Sequence, residues 1–172
     1  LQGMMQNLDI SDALIRLGKK LSKDNDIADF CNEQFKKSVT VFVGDTLRSQ
    51  EPTLDKTPYI AITDFQKQEG QNVEFCSYSF TIYVGVGGEK SELVEDENGL
   101  LMPDLFDVGA KFMTLIENVL NDPKKNLRPC SKVDTAGPFP LDPAGKHWLG
   151  RMQISKRIYQ HIGTSYQENF DL

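Results

Sequence analysis

Asn72-Val73-Glu74-Phe75-Cys76-Ser77-Tyr78-Ser79-Phe80-Thr81-Ile82-Tyr83-Val84-Gly85-Val86 alternates almost without a break. Cys76, Tyr78, Phe80, Ile82, Val84 and Val86 fall on one side of an extended chain, and Ser77, Ser79, Thr81 and Tyr83 on the other. A period of two over this length predicts a long strand with one face in a core. Tyr59 to Phe65 is a second β-rich run, and Lys67-Gln68-Glu69-Gly70-Gln71-Asn72 supplies a turn between them.

Downstream, Gly87-Gly88 ends the strand, and Glu89 to Pro103 reads as a long acidic loop holding Glu89, Glu92, Glu95, Asp96 and Glu97 but only one lysine. Loops of this length in compact domains are usually functional or disordered. Asp104 then stands where an N-cap belongs, and Leu105, Val108, Phe112, Leu115 and Val119 mark one face of a helix that stops before Pro123. Leu127 to Val133 reads as a strand, at an edge because of Pro129. Gly137-Pro138-Phe139-Pro140-Leu141-Asp142-Pro143 reads as a loop, and Leu149 to Ile162 as a last strand with Met152, Ile154, Ile158 and Ile162 on one face. The polar tail from Gly163 to Leu172 is expected either to be disordered or to order only against a neighbour.

Upstream, Ile10, Leu14, Leu17 and Leu21 recur at helical spacing behind Asp9 and Ser11, which predicts a helix from Ser11 to Ser22. Ile27, Phe30, Cys31 and Phe35 repeat the pattern over a shorter stretch, followed by a strand from Val39 to Val43 and a polar, proline-containing loop from Gly44 to Pro58. No internal repeat is visible. The expected class is α+β: a mixed, mostly antiparallel sheet with a long β-hairpin and two to three helices packed on one face. The strand face Tyr78, Phe80, Ile82 and Val84 should then meet Val108, Phe112 and Leu115, because an apolar helix stripe and a half-buried sheet must cover one another.

A length of 172 residues suits one domain with a sizeable core. Its 19 Lys+Arg against 25 Asp+Glu give −6, which argues against a general affinity for nucleic acid or anionic membranes, since such affinity comes from basic patches. Three separated cysteines, Cys31, Cys76 and Cys130, read as reduced thiols of a cytosolic protein. No apolar run approaches the roughly 20 residues of a membrane span, so a soluble protein is expected. Leu1 to Met5 reads as a cloning scar ahead of a start at Met4 or Met5.

Chemical motifs fail on spacing. In Gly85-Val86-Gly87-Gly88-Glu89-Lys90-Ser91 a glutamate stands where a phosphate would lie, and an acidic segment follows instead of a helix. Setting Gly99 at the sixth position of a calcium loop leaves Val94 and Leu105 at its two essential carboxylate positions. His147 and His161 have no partners at zinc-ligand spacing, and no Gly-x-Ser-x-Gly elbow occurs. The expectation is a protein that is not an enzyme and takes neither cofactor nor metal. Its candidate partner-contact residues are Glu89, Glu92, Glu95, Asp96 and Glu97, with His147, Trp148 and Arg151.

The helix from Asp104 to Asn121, a following strand, the loop Gly137-Pro138-Phe139-Pro140 and the strand opening Trp148-Leu149-Gly150-Arg151-Met152-Gln153-Ile154 resemble the ending of the tail-terminator, or tail-completion, minor tail proteins of long-tailed bacteriophages. In the first half a helix, Pro58-Tyr59-Ile60-Ala61-Ile62 and the strand Phe75 to Val86 occur in that family's order, so the resemblance spans about Ile10 to Ile162. It implies a virion subunit, made in the bacterial cytoplasm, whose copies close into a ring, usually of six. The ring caps the tail tube and meets the head-tail connector. It brings no catalytic residues. The segments Glu89 to Pro103 and Gly44 to Pro58 are longer than the family's simplest members require. Carboxylates gathered around such a ring would repel, so the acidic loop is expected to weaken self-association at low salt. The competing expectations are another protein-binding morphogenesis module and a nucleic-acid-binding domain. The latter would use Lys124, Lys125, Arg128, Lys132, Lys146, Arg151, Lys156 and Arg157 as a basic surface.

Overall fold

The computed structural model describes residues 10–44, 54–69, 75–89, 91–125 and 131–159. The element order is α1 (Ile10–Lys23), α2 (Asn25–Phe35), β1 (Thr40–Val43), a single 3-10 turn (Leu54–Lys56), β2 (Tyr59–Glu69), β3 (Phe75–Gly87), β4 (Leu93–Glu95), β5 (Leu101–Pro103), α3 (Asp104–Asn121), a second 3-10 turn (Pro123–Lys125), β6 (Ser131–Pro140) and β7 (His147–Tyr159). Five strands form one sheet in the order β1-β2-β3-β7-β6, with β1 parallel to β2 and every other pair antiparallel. The class is α+β, with the helices on one face of this mixed, mostly antiparallel sheet.

The long alternating strand lies at the centre, paired along its length with both β2 and β7. Tyr78, Phe80, Ile82, Val84 and Val86 are all buried, as their period of two requires. Phe80, Ile82, Val84 and Val86 share a core with Ile60 and Ile62 of β2, Trp148, Met152 and Ile154 of β7, and the inward faces of the three helices. Tyr78 lies further along the strand, its ring 5.7 Å from that of Phe65. β2 continues to Glu69, so Lys67 to Glu69 belong to the strand rather than to the expected turn.

α1 buries Ala13, Leu14, Leu17 and Leu21 and turns Arg16, Lys19 and Lys23 to solvent. α2 begins where the Asp24 carboxylate accepts the Ile27 backbone N–H at 3.0 Å, an N-cap that satisfies one orphan donor of the first turn. It ends at Lys36 in the left-handed conformation, φ 56°, whose N–H donates to the Asn32 carbonyl. Burial pushes the Cys31 thiol on this helix up to about 12, as befits a small packing residue.

α3 has the expected bounds, and its buried face keeps Leu105, Phe112 and Val119 of the expected stripe but is rotated toward Gly109, Met113 and Ile116. Leu105, Gly109, Phe112, Met113, Ile116, Val119 and Leu120 are buried, whereas Val108 and Leu115 are half-buried. The seat is made by small residues: a Cβ at Gly150 would overlap Met113, which therefore packs directly on the β7 backbone. Phe112 stacks on Phe30 of α2 at 5.3 Å. Asp104 is the first helical residue rather than the N-cap, which is Pro103; its carboxylate accepts from the Leu105 N–H at 2.7 Å and the Glu92 N–H at 3.2 Å.

Two expected loops are strands. β6 runs through Gly137-Pro138-Phe139-Pro140, because it is an edge strand and its register on β7 shifts between Ala136 and Phe139. At an edge bulge a proline's missing N–H breaks no ladder. The acidic segment contains the β4-β5 hairpin, described below. The expectations for residues 1–9, 45–53, 70–74, 126–130 and 160–172, and for the side chains of Ser11, Cys76 and Ile158, lie outside the described residues.

Candidate functional site

The β4-β5 hairpin stands apart from the main sheet and leads straight into α3. Leu93 pairs with Pro103, Val94 with Met102 and Glu95 with Leu101. Its turn is built by Asp96: the backbone N–H donates to the Leu100 carbonyl at 2.9 Å, and the carboxylate accepts from Asn98 N at 2.9 Å and Leu100 N at 2.8 Å. Gly99 closes the turn at φ 79°, where a side chain would be strained. Asp104 ties down the base, donating its N–H to the Glu92 carbonyl at 2.8 Å.

This small hairpin keeps its apolar side chains in water. Leu93, Leu100 and Leu101 are 66%, 60% and 59% exposed. Among the described residues eight large hydrophobic side chains are exposed, and five of them, Leu93, Val94, Leu100, Leu101 and Phe106, fall on the hairpin and the first turn of α3. Glu89, Glu92, Glu95, Asp96 and Glu97 are exposed in the same segment, and the register sets Leu93, Glu95 and Leu101 on one face of the hairpin and Val94 and Met102 on the other.

The remaining sequence candidates divide between the two faces of the sheet. Trp148 is 8% exposed on the helix side; its ring meets Phe106 edge-on at 6.1 Å, and Nε1 donates to the Gly145 carbonyl at 2.8 Å. It belongs to the core and backs Phe106 instead of forming an exposed surface. His147 lies on the opposite face, with Nε2 3.0 Å from the Tyr59 hydroxyl. Arg151, on that same face of β7, is 2.8 Å from the Asp134 carboxylate. The structure thus keeps the acidic residues on the segment before α3, sets Trp148 against Phe106 of that helix's first turn, and places His147 and Arg151 on the other face of the sheet.

At the far end of α3, Lys125 is held by Asp24 at 2.6 Å and Asp26 at 2.5 Å. The hydrogen bond to Asp24, then that to Asp26, raises its ammonium above the ordinary lysine range. Of the expected basic surface, Lys125 and Arg151 are therefore neutralised by carboxylates and Lys124 and Lys146 are exposed, while Arg128 and the side chains of Lys132, Lys156 and Arg157 lie outside the described residues.

Reading the segment by its charge missed the leucines. The available signal was Asn98-Gly99 between Leu93-Val94 and Leu100-Leu101-Met102, a turn dipeptide flanked by apolar residues. Among the described residues no group of three or more His, Cys, Asp or Glu side chains is placed to hold a metal ion, and no helix is long and apolar enough to cross a membrane. No protein-family model matches the chain, and no curated protein matches it.

Proposed function

We propose that the chain is a structural subunit of a phage or prophage tail, a tail-terminator or head-tail joining protein whose copies form a ring on the tail tube. Its work in this reading is protein contact, without catalysis or cofactor. The observation that carries it is the exposed hairpin: leucines more than half in water, on a hairpin pinned at base and turn, are what an interaction surface looks like before its partner arrives. The order of helices, hairpin, helix and final strands adds the resemblance to tail-terminator proteins. The carboxylates that occupy Lys125 and Arg151 favour this reading over a nucleic-acid-binding one.

The tail tube and the head-tail connector are the partners this reading names, and the virion is its location. Negative-stain microscopy of the purified chain, alone and with the tail-tube protein encoded beside it, tests the proposal. Closed rings seated on tube ends are the expected result. A gene lying in a metabolic operon, with no portal, tube or tape-measure genes around it, would sink it.

A further inference from the structure

The described surface is electrically polar along α3. At the N-terminal end of this helix stands the hairpin with Glu92, Glu95, Asp96 and Glu97. At its C-terminal end is an open cleft of about 460 Å³ lined by Lys19, Lys20, Lys23, Asp24, Asn25 and Lys125. Helix dipoles account for part of this pattern, since Asp104 and Asp107 open α3 and Lys20 and Lys23 close α1. They do not account for Glu95 and Glu97 at the hairpin tip, for Lys19, or for leucines left in water.

We infer that the hairpin of one copy docks on the lysine cleft of the next, so that copies associate head to tail. This rests on the ring-subunit reading and names the contact that would link neighbouring subunits. The charges are complementary: Glu92, Glu95, Asp96 and Glu97 are exposed on the hairpin, and the cleft presents Lys19, Lys20 and Lys23 beside Lys125, which Asp24 and Asp26 already hold. Lysine stems are hydrocarbon and can cover Leu93 and Leu101 while their ammonium groups reach Glu95 on the same hairpin face. The two surfaces sit at opposite ends of an 18-residue helix, about 27 Å long at 1.5 Å per residue. A hairpin therefore cannot reach its own cleft, and the contact must be between molecules. It is heterologous, one surface meeting a different one, which yields a ring where the rotation closes. It also reverses the salt dependence expected from the carboxylates alone, because screening weakens a contact between opposite charges.

Sedimentation velocity of the full chain from low to high ionic strength reads the contact directly. It is run on the wild type, on a hairpin variant (Glu92→Lys, Glu95→Lys, Glu97→Lys) and on a cleft variant (Lys19→Glu, Lys23→Glu). Circular dichroism melts establish that both variants fold. The wild type is expected to associate at low salt and dissociate as salt rises, and each variant alone to associate at least about tenfold more weakly. An equimolar mixture of the two variants should regain association, because each reversed surface then meets its reversed complement. A wild type that stays monomeric, association that strengthens with salt, or a mixture no better than either variant alone overturns the contact. Rings that form equally well from wild type and both variants overturn it while leaving the ring reading intact. A non-phage gene neighbourhood removes the ring reading but leaves the charge-reversal result to stand on its own.

Discussion

The hydroxyl of Tyr59 and Nε2 of His147 lie 3.0 Å apart, although 88 positions separate them in the chain. The bond bridges β2 and the start of β7 over the central strand β3. It is possible because Gly85 lies beneath the Tyr59 ring, where any Cβ would overlap it. Phe42 meets the same ring edge-on at 6.0 Å, so Tyr59 anchors the sheet face turned away from the helices.

Tyr59→Phe should therefore cost about 1 kcal/mol, the usual net value of one hydrogen bond. Gly85→Ala should cost about 1 to 3 kcal/mol by overpacking, and much less in a Tyr59→Ala background, where the obstructing ring is gone. Urea unfolding of the two single variants and the double variant measures the coupling. Additive losses would mean that the ring does not rest on Gly85.

Phe112 is fully buried and stacked on Phe30, between α2 and the sheet. Phe112→Ala should cost about 3 to 5 kcal/mol. Val108→Ala, on the half-buried flank of α3, should cost clearly less. Equal losses in chemical denaturation would show that the helix is rotated from the face described.

Lys125 joins the second 3-10 turn to the N-terminus of α2 through Asp24, which is 8% exposed. Lys125→Met should cost about 1 to 2 kcal/mol, moderated because Asp24 keeps the Ile27 N–H and because Asp26 is largely solvated. A lysine whose folded pKa is raised contributes its stability fully below its unfolded value, near 10.4, and loses it as pH rises through the folded value. The difference between wild type and variant should accordingly be flat from pH 6 to about 10 and shrink only in stronger alkali. Thermal melts across that range check the sign; a gap that opens with rising pH would contradict it.

Zinc, calcium and nucleotides at millimolar concentration should leave the melting temperature unchanged, since a ligand that prefers the native state raises it by mass action. Calcium is the demanding case, because the Asp96 carboxylate already accepts two backbone N–H groups in the hairpin turn. A shift of several degrees in a scanning melt would reopen the acidic segment as a ligand site.

Patterns carried by side-chain period were legible: β3 buries the expected face from Tyr78 to Val86, and α3 begins and ends where its apolar stripe does. The orientation of α3 was not, because a glycine adds nothing to an apolar stripe, yet Gly109 and Gly150 decide which side of the helix can approach the sheet. β6 was hidden by local rules about proline that only its edge position relaxes. The hairpin was hidden by its charge: five carboxylates drew the reading toward a solvated loop, while Asn98-Gly99 and its flanking leucines carried the opposite message. Trp148 was expected at a surface, but it belongs to the core shared by the sheet and the helices, which only the tertiary fold assembles.

β6 bears on how this molecule can add to others. A sheet's free margin invites a foreign strand to continue its ladder, which is the common route to uncontrolled stacking and fibre growth. Here Pro138 and Pro140, two of the last three residues of the margin, have no N–H to offer, and the register shift beside them breaks the regular spacing an incoming backbone would need. Backbone continuation is discouraged at that end of the margin, so copies meeting there would recognise one another through side chains, whose size and charge, unlike a bare ladder, can limit how many copies join.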